Sequence, residues 1–98
     1  MGAEKNVQAL VSQSLRSRIM VSFALCAVAE SEIHGEEWER AVQTIATIRQ
    51  LVSEINLLII EPHPIPVSTI REAGELAAEL ESRIQAIEAA IGPRKRYH

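Results

Sequence analysis

Three histidines and one cysteine are the side chains best equipped to hold a metal or start covalent chemistry. A metal site needs imidazole, thiolate or carboxylate ligands at matched spacing. The nearest approach to such spacing is Glu30-x-x-x-His34, with Glu37 three residues further on. Glu30 and His34 share a face if the first helix reaches that far, but a polar helix end at the surface is the better account of them. Carboxylate-bridged di-metal bundles carry Glu-x-x-His on inward helix faces, and no Glu-x-x-His occurs here. We assign no metal ligand, cofactor or cofactor-binding residue on this basis.

Nucleophilic catalysis has no better carrier. His34 falls in an expected turn, His63 between prolines and His98 at the terminus, so none stands as a base beside a Ser or Cys. Cys26, between Leu25 and Ala27, reads as a small buried hydrophobe. A reactive thiol would need exposure and nearby cations, and a lone cysteine leaves no disulfide within the chain. The glycines at 2, 35, 74 and 92 are too scattered for a phosphate loop. No catalytic residue emerges, and the sequence leans away from an enzyme.

Positive charge is concentrated in the tail, at Arg94, Lys95 and Arg96. The net charge of −3 opposes a surface devoted to nucleic acid or anionic lipid. A helix-turn-helix around Gly35 would present Glu36, Glu37 and Glu39 to phosphate, which repels them. Nucleic-acid binding through the tail remains the weakest of three functional readings.

The elements that position these residues are helices. Ninety-eight residues make one domain. Only 3% of them are aromatic against 47% apolar, so the core is aliphatic, and the prevalent Ala, Leu, Glu and Arg favour helix. Trp38, Ala41, Ile45, Ile48, Val52, Ile55 and Ile59 follow at spacings of 3, 4, 3, 4, 3 and 4, a coiled-coil-like seam. Ile70, Ala73, Ala77, Leu80, Ile84, Ile87 and Ile91 repeat that pattern. The first helix carries Val7, Leu10, Val11, Leu15, Ile19, Met20, Phe23, Ala24, Ala27 and Val28, and its second half is apolar on nearly every side. The fold class is all-α, a three-helix antiparallel bundle. Its helices are expected over about 4–33, 36–60 and 68–91, with a proline-rich connector over 61–67 and a basic tail over 92–98.

Local signals set the expected boundaries. Gly35 suits the left-handed residue that closes a helix, and Glu36 then opens the next, four residues before Arg40. Thr69 to Glu72 form a capping box. Gly92-Pro93 marks a stop. Glu79 and Arg83 make a second intrahelical pair, and Gly74 suggests close approach of a neighbouring backbone.

The longest apolar run, Ile19 to Ala29, has 11 residues, against the ~20 a membrane span requires. Met1-Gly2 lacks the Ser or Thr of a myristoylation site, Asn6 standing there instead. The expected protein is cytoplasmic and does not act on a membrane. Three helices that each cover one stripe leave apolar surface over, on the first helix and at Leu57 to Ile60. Such surface normally marks a partner. A homodimer forming a six-helix bundle is therefore expected, with Ile19, Phe23, Trp38, Ile45, Ile48, Val52, Ile55 and Ile59 as the interaction face and Arg94, Lys95 and Arg96 as an accessory contact. Another protein on the same face is the alternative. The leading function is a small interaction protein such as a regulator, adaptor, anti-activator or chaperone. The runner-up is a bundle holding a small molecule or metal between its helices.

Overall fold

The computed structural model describes the backbone of residues 2–60 and 65–95 and the side chains of 9–60 and 65–92. Its described residues form three helices, α1 over Gly2–His34, α2 over Trp38–Ile60 and α3 over Val67–Lys95. They pack pairwise into a rod of 57 × 17 × 17 Å. Glu32 accepts from Thr44, and Glu54 accepts from Arg18, so α1 and α2 are antiparallel. Val42 and Ile45 of α2 lie by Ile91 of α3 while Arg49, further along α2, reaches back to Glu81, so these two helices also run antiparallel. Leu15 and Ile19 meet Thr69 and Leu76, and Glu30 meets Arg83, so α1 and α3 are parallel. The chain thus runs up, down and up.

The core is aliphatic and follows the heptads. From α2 it takes Ala41, Ile45, Ile48, Val52 and Ile55; from α3, Ala73, Leu80, Ile84, Ile87 and Ile91. Burial of this apolar surface is the main stabilising term, at roughly 25 cal/mol per Å² removed from water. In α1 the buried line is Leu15, Ile19, Ser22, Cys26 and Ala29, at spacings of 4, 3, 4 and 3. Ser22 has no accessible surface, and its hydroxyl donates to the Arg18 carbonyl at 2.7 Å. Its polar atom is therefore satisfied without any partner across the core. The sequence named Leu15 and Ile19 as apolar positions and Cys26 as buried, but missed Ser22, which is polar, and Ala29, and did not separate this line from Met20, Ala24 and Val28.

Several expected boundaries shift. Gly35 is not left-handed; Glu36 is, at φ 60°. The Glu37 N–H bonds the Glu32 carbonyl at 2.8 Å and the Glu36 N–H that of Ile33 at 3.0 Å. These two bonds are a Schellman closure with Glu36 at the position usually given to glycine. Glu36 therefore lies outside α2, and Arg40 pairs with Glu37 at 3.7 Å instead. The expected capping box lies inside α3, because the Pro66 carbonyl already accepts from Ile70 and starts the helix at Val67. Gly92-Pro93 does not stop α3, which continues to Lys95. Pro93 removes a single N–H so near the end that only one helical bond is lost. Gly74 meets no close backbone: a Cβ there would find nothing within 4 Å. Within the connector, Ile65 is buried, whereas 61–64 lie outside the described residues.

Candidate interaction surface

Three arginines and the glutamates they reach link the helices. Arg18 of α1 bonds Glu54 of α2 at 3.1 Å. Arg49 of α2 reaches both Glu88, at 2.5 Å, and Glu81, at 3.3 Å, on α3. Arg83 of α3 closes the circle on Glu30 of α1 at 2.5 Å. Each helix so contributes one arginine to the next. The Arg49 guanidinium is pushed above its ordinary range, first by its hydrogen bond to Glu88, and Arg83 likewise by its bond to Glu30. The expected Glu79–Arg83 pairing gives way to this interhelical contact, although Glu79 still adds to the field at Arg83.

Glu30, half of the Glu30–His34 pair, accepts from Arg83. Among the described residues no three His, Cys, Asp or Glu side chains gather as metal ligands would. Cys26 is buried, and its thiol is raised above the usual range chiefly by loss of solvation, with Arg83 pulling it down and Glu30 pushing it up. A thiol held protonated is a poor nucleophile. An open groove of about 200 Å³ runs between α1 and α3, with Leu15, Ile19, Thr69 and Leu76 in its lining, and a shallow depression of about 520 Å³ lies along α1 at Gln13, Ser17 and Met20. Pockets that hold small molecules usually enclose most of the ligand, and both of these are open to solvent.

The expected interaction residues divide into two groups. Ile19, Ile45, Ile48, Val52 and Ile55 are buried in the core of the single chain. Phe23, Trp38 and Ile59 are partly buried against it. Such side chains have little surface left to offer a partner. Arg94 and Lys95 lie in the last turn of α3, while their side chains and the whole of Arg96 fall outside the described residues.

The exposed apolar surface is made of other residues. On the outer side of α1, Met20 is 71% exposed, Val21 45% and Val28 45%, with Ala24 and Ala27 exposed between them. At one end of the rod, Leu10, Leu57, Ile60 and Val67 are also exposed. Arg83 and Glu30 are 53 positions apart, which sets the start of α3 beside about residue 14 of α1. The first turns of α1, including Leu10, therefore project past α3. The α1 face is conspicuous for its lack of charge: Arg16 is its one exposed charged residue from Ala9 to Val28. By contrast α3 exposes Arg71, Glu72, Glu75 and Glu79 within nine residues. Single exposed apolar residues are normal, but a contiguous patch marks an interaction site. The signal for this face lay in the sequence, as the all-round apolar character of α1; only the register chosen by Leu15, Ile19, Ser22 and Cys26 decides which side is left outside.

Among the described residues, no helix is long and apolar enough to cross a membrane. Comparison with family models, curated proteins and solved structures found no match to this chain.

Proposed function

We propose that this protein is a small helical interaction module that self-associates, and that its activity is binding rather than catalysis. The observation that carries the reading is the uncharged, apolar outer face of α1 on a bundle whose own core is already closed. Exposed apolar side chains gain about 25 cal/mol per Å² when a partner removes them from water. A charged helix face gains nothing comparable, because its ion pairs exchange one hydrated state for another.

Dimerisation gives six helices in one bundle, with α1 of each copy at the centre. The regulator, adaptor, anti-activator or chaperone roles all use such a surface, and the acidic chain operates in the cytoplasm in this reading. Absolute mass by light scattering, over a hundredfold range of concentration, tests it. A mass of twice 10.8 kDa is expected, falling toward 10.8 kDa only on strong dilution. A mass of 10.8 kDa at every concentration overturns self-association.

A further inference from the structure

We infer that the outer face of α1 receives a second copy of the same helix in antiparallel orientation, about a twofold axis passing beside Ala24. The inference rests on the self-association proposed above and specifies its surface and geometry.

Position on the helix defines the face. Ser17, Met20 with Val21, Ala24, Val28 and Ser31 recur every three or four residues and lie opposite the buried line of Leu15, Ile19, Ser22, Cys26 and Ala29. From Ser17 to Ser31 this is about 21 Å of helix at 1.5 Å per residue. It carries no charge, and its middle residue is small. A twofold axis beside Ala24 pairs each residue with the one equally far along on the other copy. Met20 then meets the second copy's Val28, Val21 meets its Ala27, and Ala24 meets its own counterpart. Larger residues flank the axis while Ala24 lets the backbones approach.

Charge selects the orientation. Arg16 borders the face toward one end of this stretch, and Glu30 stands further round on the same side, toward α3, near the other end. An antiparallel twofold keeps like flanks together while reversing direction, so Arg16 of each copy comes within about 3 Å, along the helix axis, of the level of the other's Glu30. The carboxylate of Glu30 already accepts from Arg83, and Arg16 would approach it from the open side. A parallel twofold brings opposite flanks together and sets neither Arg16 nor Glu30 beside an opposite charge of the other copy.

Four variants of the full chain test this, each checked for native helicity and read by sedimentation velocity. Val21→Glu should weaken the dimer by at least about a hundredfold, since the twofold buries the unpaired charge twice. Arg16→Glu should weaken it about fivefold or more. Leu57→Glu should leave it intact. Ala24→Cys, under mild oxidation, should cross-link to a covalent dimer, while the wild type, whose Cys26 is buried, should not. A control cysteine at Ala78, exposed on α3, should stay uncrosslinked. If Val21→Glu remains dimeric and Leu57→Glu becomes monomeric, the proposed face is wrong although self-association stands. If Ala24→Cys fails to cross-link in a dimeric protein, the antiparallel twofold is wrong. A monomeric wild type instead removes the underlying reading.

Discussion

Glu36 alone among the described non-glycine residues holds a positive φ, at 60°. A side chain there costs about 1 kcal/mol or more relative to glycine, because its Cβ crowds the following carbonyl. The neighbouring Gly35 is in an ordinary conformation, and a Cβ there would sit 3.6 Å from the Ser31 carbonyl oxygen, a normal contact. The turn therefore has its glycine one position early. Two substitutions follow. Gly35→Ala should stabilise by about 0.5 kcal/mol, by reducing the freedom of the unfolded chain. Glu36→Gly should stabilise by up to about 1 kcal/mol through relief at φ 60°. Urea unfolding measures both. If Gly35→Ala were instead destabilising by more than 1 kcal/mol, the left-handed residue would be Gly35, as the sequence alone suggested. Cys26 illustrates the other side of residue-scale reading: its apolar neighbours already implied the buried, protonated thiol that the fold provides.

At the scale of elements all three helices were legible, but the inward face was legible for α2 and α3 and only in part for α1. Helices α2 and α3 carry a polar side, so their apolar seams have a single solution, and Ile45, Ile48, Ile84 and Ile87 are buried as their spacing requires. In α1 the second half offers apolar residues all round, and hydropathy cannot tell which stripe faces inward. Packing resolves this through size: Ser22 and Ala29 are compact enough to lie against α2 and α3, and the Ser22 hydroxyl satisfies itself on the Arg18 carbonyl. Met20 and Val28 are left outside. Helix ends were legible only to within a turn, because capping signals at Thr69 and Gly92 compete with the stronger tendency of a packed helix to continue. The resulting register makes a measurable contrast. Leu80→Ala, at a side chain with no exposure, should cost about 2–5 kcal/mol. Val28→Ala, at 45% exposure, should cost under about 1 kcal/mol in the monomer. Equal losses at both positions, measured by chemical denaturation below the dissociation concentration, would mean that α1 is rotated from the orientation described.

For the whole molecule, the three cross-helix arginines fix which helix ends lie together, and the heptads close the core around them. Exposed pairs of this kind contribute at most about 1 kcal/mol each; their role is to specify register more than to add stability. The rod so assembled has charged outer faces on α3 and an uncharged one on α1, and that asymmetry is the basis for a bundle completed by a second copy. Met20 is the natural reporter, being the most exposed large side chain of the face, at 71%. Its thioether is oxidised readily by peroxide in water and slowly when covered. The most direct measurement is the initial rate of Met20 oxidation by hydrogen peroxide, followed by peptide mass spectrometry against a small methionine amide as reference. It is made across the concentrations at which the mass changes. The rate should approach that of the reference when the protein is dilute and fall at least about tenfold as the mass doubles. A rate that stays at the reference value in the dimer would contradict association through α1, and a slow rate in the dilute monomer would contradict the register of the helix itself.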